Sequence, residues 1–226
     1  MKKSKRSQSA IKAAAELLKN TSPDSSPKLS EIKPEQSTIE LGPTASLVYT
    51  TGFIHHTVAS QLAELWIDSL DWVQSEISLF GKRVSIPRLN AWYGDRAYAY
   101  SGTHFEAKPW TPELLSLKQQ VEDASKLSFN SVLINYYRSG QDCMGWHSDD
   151  EAILGTHPQI ASVSLGDNRR FVLRDKKDHK NKHEISLATG SLLLMLGQTQ
   201  ELWQHSLPRT TKSDRPRINL TFREIL

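Results

Sequence analysis

A single cysteine, Cys143, is present, so no internal disulfide can form, and a thiol-reducing compartment is expected, the cytoplasm or, in a eukaryote, the nucleus. No apolar run approaches the ~18 residues a membrane span requires, so no membrane partner is expected. No internal repeat is visible, which argues against a solenoid or propeller. The opening stretch MKKSKRSQSAIKAAAELLKN has the basic start of a secretory signal, but Lys12 and Glu16 interrupt its apolar part, so export is not expected. An excess of one charge is also lacking over most of the chain. Residues 41–226 hold 20 Lys/Arg and 20 Asp/Glu, whereas residues 1–40 hold 8 against 5 and supply the net charge of +3. Recognition of a polyanion must therefore rest on local clusters.

What is there suits one soluble core: 226 residues, 38% hydrophobic and 23% charged. Residues 1–45 read as a disordered basic arm, with a short helix at Ile11–Lys19 and a stretch, TSPDSSPKLSEIKPEQS, too polar to order itself. Residues 46–226 read as a single domain. VASQLAELWIDSL places Val58, Leu62, Leu65, Trp66 and Leu70 at helical spacing. A second helix is expected where Thr111 can cap, Pro112 can take the first turn and ELLSLKQQVEDASKL follows. SEISLF and RVSIPR flank Gly81-Lys82 as a tight hairpin. Further strands are expected in AYAYS, NSVLINYY, ASVSLG, RFVLRD, HEISLA, SLLLML, LWQHSL and RINLTFRE. The fold class is mainly β with flanking helices, a double-sheet barrel or jelly roll. SLLLML, apolar throughout, is expected to be buried on both faces.

The segment GWHSDDE, Gly145–Glu151, carries the chemistry. A cluster of acids is usually a solvated loop. In an extended chain, however, His147 and Asp149 point the same way and share a face. Of the eight histidines, His205 alone sits between apolar neighbours in an expected strand. Two imidazoles and one carboxylate form the facial set that holds non-haem Fe(II), and the same ligands can hold a hydrolytic zinc. RINLTFR bears on the choice. Arg217, Asn219, Thr221 and Arg223 fall on one face, Ile218, Leu220 and Phe222 on the other. Two guanidiniums facing a barrel interior need anions, and a dicarboxylic acid beside the metal supplies both. Iron with 2-oxoglutarate fits this pattern, whereas a zinc hydrolase leaves the arginines unexplained.

The spacing His147-x-Asp149, then His205, then RINLTFR resembles the AlkB family of 2-oxoglutarate- and Fe(II)-dependent dioxygenases, which reverse alkyl damage on nucleobases. VLINYYRSG, PRLNAWYGD, YAYSG and KPW extend the likeness over most of the chain from about Phe80 to Ile225. The resemblance implies a double-stranded β-helix core preceded by substrate-recognition hairpins. It implies Fe(II), 2-oxoglutarate and O2 as cofactors, and His147, Asp149 and His205 as the iron ligands. Arg217 and Tyr137 would then take the far carboxylate of 2-oxoglutarate, Arg223 and Asn135 the chelating one, with Asn219 in support. The substrate side would comprise Phe80, Arg88, Tyr98, Tyr100, Ser101 and Glu151. The implied reaction is oxidative demethylation of bases such as 1-methyladenine and 3-methylcytosine in DNA or RNA, by a monomer, with release of formaldehyde and succinate.

Phe80 in LFGK resembles the wedge of a duplex-acting branch, while PRLNAWYGD and YRSGQDCMGWHSDDE resemble the branch that prefers single strands. The segment RRFVLRDKKDHKNKH, residues 169–183, holds 7 Lys/Arg against 2 Asp and is expected to track phosphates. Two other readings stand beside the demethylase: the same oxygenase acting on a protein or lipid, and a catalytically silent nucleic-acid-binding module. Complete ligands and arginines weigh against the latter.

Overall fold

A computed structural model describes residues 34–79, 82–100 and 103–226. The helix expected at Ile11–Lys19, the hairpin tip with Phe80, and Ser101 lie outside the described residues. The chain opens with strands β1 (Glu35–Gly42) and β2 (Ala45–Thr51), followed by helix α1 (His56–Ser69). Then come β3 (Glu76–Leu79), β4 (Lys82–Ser85), β5 (Leu89–Gly94), β6 (Tyr98–Tyr100) and β7 (Thr103–Phe105), with α2 at Pro112–Ser125. The remainder is β8 (Ser131–Tyr137), β9 (Met144–His147), β10 (Ile160–Gly166), β11 (Arg169–Asp175), β12 (Lys182–Leu187), β13 (Ser191–Gly197), the one-turn α3 (Thr199–Leu202), β14 (Trp203–Leu207) and β15 (Arg217–Arg223). No helix among the described residues is long and apolar enough to cross a membrane.

Two antiparallel sheets face each other. One has seven strands in the order β1-β2-β13-β10-β15-β8-β5, the other four in the order β12-β11-β14-β9. Alternation along the central strands sorts their side chains. Ile218, Leu220 and Phe222 of β15, Val163 and Leu165 of β10, and Val132 and Ile134 of β8 pack against Leu62 and Trp66 of α1 and Leu114 and Leu117 of α2. Burying each such side chain is worth about 1.5–3 kcal/mol, so this outer core anchors the large sheet. The opposite faces meet the small sheet, where Leu193 and Met195 of β13 pack with Phe171, Leu173, Trp203 and Leu207. SLLLML therefore contributes to both cores, as its continuous apolarity requires.

The expected helices form where their signals lie. Thr111 Oγ1 accepts from the Leu114 amide at 3.3 Å, Pro112 sits in the first turn, and Lys126 ends α2 in the left-handed region at φ 60. Two expectations shift. Glu35–Gly42, expected to belong to the arm that ends at 45, is instead an edge strand whose order comes from its ladder with β2. Most of its side chains are exposed, so composition alone does not reveal it. In the β3–β4 hairpin Leu79 pairs with Lys82, which places Lys82 in β4 and not in the turn.

The loop from β8 to β9 is fixed by buried Asp142. It accepts from the Arg138 amide at 2.9 Å and from the Arg138 guanidinium at 2.7 and 2.9 Å. Burial alone would raise the Asp142 carboxyl, but the Arg138 bonds outweigh it and hold the group below its usual value. A depressed carboxylate stabilises the fold above the unfolded pKa of about 3.9, and that contribution is lost as pH falls through the native value. Thermal unfolding should show Asp142→Asn less stable than the parent at neutral pH by about 1.5–3 kcal/mol. The gap should close on acidification below pH of about 4.

Candidate metal centre

β9 ends on His147, and β14 carries His205 directly opposite it in the ladder. The two rings stand 4.2 Å apart, centroid to centroid. Beyond His147 the chain brings Asp149 round to them, so that one donor atom each from His147, Asp149 and His205 lies within 4.8 Å of the others. The one-turn α3 acts as a clasp between these two ligand-bearing segments. Ser148 Oγ donates to the Trp203 carbonyl at 2.9 Å and the Asp149 amide to Gln200 Oε1 at 3.0 Å. Lys176 Nζ donates to Asp150 Oδ2 at 2.8 Å and to the Gln200 carbonyl at 3.0 Å.

Protonation suits a cation. His147 Nδ1 lies 2.9 Å from the Gly145 carbonyl, which can only accept, so this nitrogen carries the proton and Nε2 keeps its lone pair for a metal. Burial pushes both imidazoles below their ordinary value, His205 to about 3 with the charge of His147 as the next cause. Burial opposes ionisation of Asp149, but the charge of Arg223, followed by those of His205 and His147, brings it down to about 2. Arg223 Nη2 donates to Asp149 Oδ1 at 2.6 Å. The set is thus two neutral imidazoles and one carboxylate.

A pocket of about 490 Å³, counting its open mouth, holds all three, and the polar face of β15 forms its floor: Arg217, Asn219, Thr221 and Arg223. Asn135 and Tyr137 of β8 flank them. Asn219 Nδ2 donates to Ser162 Oγ at 2.8 Å and to the Val163 carbonyl at 3.1 Å, and Thr221 Oγ1 to Asn219 Oδ1 at 3.2 Å. Arg217 is 2% exposed, donates from Nη2 to Ser164 Oγ at 2.9 Å, and has no hydrogen-bond partner at Nε. Among the described residues no carboxylate lies within ion-pair distance of it. Burial pulls it down to about 10, against the opposing influence of Tyr137, so it stays charged at neutral pH. A buried guanidinium with an open Nε fits an anionic ligand in the same pocket as the metal set.

Other expected residues are placed differently. Arg88 is buried behind the wall, donating from Nε to Asn135 Oδ1 at 2.8 Å and from Nη1 to the Cys143 carbonyl at 3.3 Å, so it backs a pocket residue. Glu151 is half-buried and opens the short 3₁₀ turn Ala152–Leu154. Tyr98 and Tyr100 share β6, paired with β7, and their side chains lie outside the description. Arg169, expected to track phosphates, is instead buried and donates to the carbonyls of Ser139, Gly140, Asp142 and Pro208. It ties the β8–β9 loop to the segment after β14. Lys177, Lys180 and Lys182 of that basic stretch are exposed. The alternation of Ser162 and Ser164 with Val163 and Leu165 was a signal for a polar pocket face; Gln200 carried no such signal.

Comparison with known proteins agrees with this geometry. Residues 46–223 match the description of the 2OG-Fe(II) oxygenase superfamily. The chain is similar to the Bos taurus protein named "Alpha-ketoglutarate-dependent dioxygenase alkB homolog 3", 39% identical over 198 residues, covering 83% of this chain and 69% of that one. It is also similar to the Homo sapiens "DNA oxidative demethylase ALKBH2", 43% identical over 162 residues, covering 67% of this chain and 62% of that one. A solved structure titled "The structure of OsALKBH1" shares the fold with a TM-score of 0.56 at 19% identity, covering 83% of this chain and 100% of that one.

Proposed function

Because this chain belongs to the AlkB family of the 2OG-Fe(II) oxygenase superfamily, and is thus an Fe(II)- and 2-oxoglutarate-dependent dioxygenase, we propose that it removes N-linked methyl groups from DNA bases such as 1-methyladenine and 3-methylcytosine. The observation that carries this reading is the convergence of His147, Asp149, His205 and Arg217 on one pocket. The printed name of the relative ALKBH2 supports DNA as the substrate.

In this reading His147 through Nε2, Asp149 through a carboxylate oxygen and His205 would hold the iron. Arg217, with its open Nε, would take the far carboxylate of 2-oxoglutarate, and Tyr137, whose ring centroid is 5.4 Å from the guanidinium carbon, would close that end. Asn135, oriented by Arg88, and Arg223 would serve the near carboxylate, while Asn219 holds the floor through Ser162. When bound, iron and 2-oxoglutarate supply the oxidation: O2 is consumed, the keto acid leaves as CO2 and succinate, and the hydroxylated methyl departs as formaldehyde. The chain itself orients the ligands, excludes water with Leu133, Phe171, Leu187 and Leu207, and keeps both imidazoles neutral. No side chain needs to abstract a proton. The target base must be extruded or single-stranded to reach the pocket.

Purified protein with Fe(II), 2-oxoglutarate and ascorbate should repair oligonucleotides bearing 1-methyladenine or 3-methylcytosine, with one succinate formed per base restored, as followed by mass spectrometry. Repair should vanish in His147→Ala. Succinate without repair would move the substrate to a protein or lipid, and DNA binding without either product would favour a silent module.

A further inference from the structure

Trp146 immediately precedes the metal ligand His147 on β9, the edge strand of the small sheet. Successive side chains alternate, so His147 faces the pocket and Trp146 the outside. There its side chain remains 36% exposed, unusual for so large an apolar group. The ring does not hang loose. The Arg174 guanidinium lies 4.2 Å from its centroid, and Arg174 is pinned in turn by Nε and Nη2 donating to Gln204 Oε1 at 3.0 and 2.8 Å. Trp146, Gln204 and Arg174 therefore form one linked patch across β9, β14 and β11.

The charge around the patch is positive. Lys182 pairs in register with Arg174 and is exposed, whereas Lys176, just past β11, is neutralised by Asp150 at 2.8 Å. Arg170 and Glu184 of the same sheet neutralise one another at 3.0 Å. An indole with a guanidinium over its ring, bordered by the exposed Lys182, has the parts of a single-strand nucleic-acid platform: an aromatic surface for a base, and cations for the phosphates. Because Gln204 already holds Arg174, less side-chain entropy is lost on binding.

On the demethylase reading above, we infer that this outer face of the small sheet binds the single-stranded nucleotides flanking the target base, with a flanking base stacked on the Trp146–Arg174 pair. The strand leaving a base seated beside His147 has only the edge strand β9 to cross. Phosphates then meet Arg174 and Lys182, and binding depends on strand length and not on sequence.

The test uses the full chain with Fe(II) and 2-oxoglutarate, and compares a 1-methyladenine mononucleotide with a single-stranded oligonucleotide of about a dozen residues carrying the same base. Trp146→Ala should raise KM for the oligonucleotide by about 5-fold or more while leaving kcat and the mononucleotide KM unchanged. Trp146→Phe should recover most of the loss. Arg174→Gln, which does not adjoin a metal ligand, should raise the oligonucleotide KM and lower the salt dependence of binding by about one phosphate. Unmodified oligonucleotide should quench tryptophan fluorescence in the parent and much less in Trp146→Phe. Unchanged oligonucleotide KM in both Trp146→Ala and Arg174→Gln overturns the platform while leaving the demethylase reading intact. Equal losses on mononucleotide and oligonucleotide also overturn it, since Trp146 would then only position His147. Absence of repair in the parent on every substrate sinks the demethylase reading, and the quenching experiment alone then decides whether the platform binds nucleic acid.

Discussion

Asp149→Ala is expected to abolish turnover and, in the metal-free protein, to lower stability by about 3–5 kcal/mol. The two effects have separate origins. Turnover fails because the facial set loses its only carboxylate, and two neutral imidazoles hold a divalent ion far less firmly. Stability falls because the Asp149–Arg223 pair, at 2.6 Å with both side chains at most 5% exposed, is a buried ion pair. Taking one partner away leaves a desolvated charge without that compensation, which costs more than the intact pair contributes. Asp149→Asn separates the terms: it keeps the shape and the backbone contact to Gln200 Oε1 but surrenders the charge. Isothermal titration with Mn(II), a redox-stable stand-in for Fe(II), should show weak or no binding in both variants. Chemical denaturation without metal should place Asp149→Asn between Ala and the parent. Metal binding retained at the parental level in Asp149→Ala would remove Asp149 from the ligand set.

The site was largely legible in the sequence, because its residues alternate along strands and alternation is a local property. RINLTFR declares its two faces outright, and the structure sends Ile218, Leu220 and Phe222 to the helices and the four polar residues to the pocket. His147-x-Asp149 is legible for the same reason, and His205 because an imidazole between apolar neighbours needs a task. What the sequence concealed depends on pairing across distance. The edge strand Glu35–Gly42 is mostly polar and exposed, with only Ile39 and Leu41 turned to the core, and is held by its ladder, so it looks like a tail. Arg169 looks like one more cation of a basic hairpin, yet its neighbours in space are carbonyls from residues 139–142 and 208, which no local pattern announces. Gln200 lies in a four-residue helix too short for periodicity, and only the folded chain shows that its side chain receives the Asp149 amide. Arg88 belongs to a recognisable motif, but its burial against Asn135 and the Cys143 carbonyl follows from packing.

Arg217→Met should act with the opposite sign on stability. The parental guanidinium is 2% exposed, bonds to a neutral Ser164 hydroxyl, lacks a partner at Nε and is pulled down to about 10 by burial. Without an anion beside it, a charge so placed is a cost to the fold, and an apolar side chain of similar volume relieves it. The ligand-free variant is therefore expected to be as stable as the parent, or more stable by about 1–4 kcal/mol, as read by thermal or chemical unfolding. Catalysis should move the other way. The far carboxylate of 2-oxoglutarate loses a two-pronged charge-assisted contact, worth about 3 kcal/mol or more when desolvated, so its KM should rise by about 100-fold or more with Mn(II) affinity nearly unchanged. Adding 2-oxoglutarate to the Mn(II)-loaded proteins should raise the unfolding temperature of the parent further and barely move that of Arg217→Met, because only a ligand that binds the native state shifts the equilibrium. A variant destabilised without ligand would mean that Arg217 is compensated within the fold. A normal KM for 2-oxoglutarate would mean that the diacid is held elsewhere. The second result would separate this guanidinium from the co-substrate, whereas the first would leave that contact in place and remove only the claim that the buried charge lacks compensation.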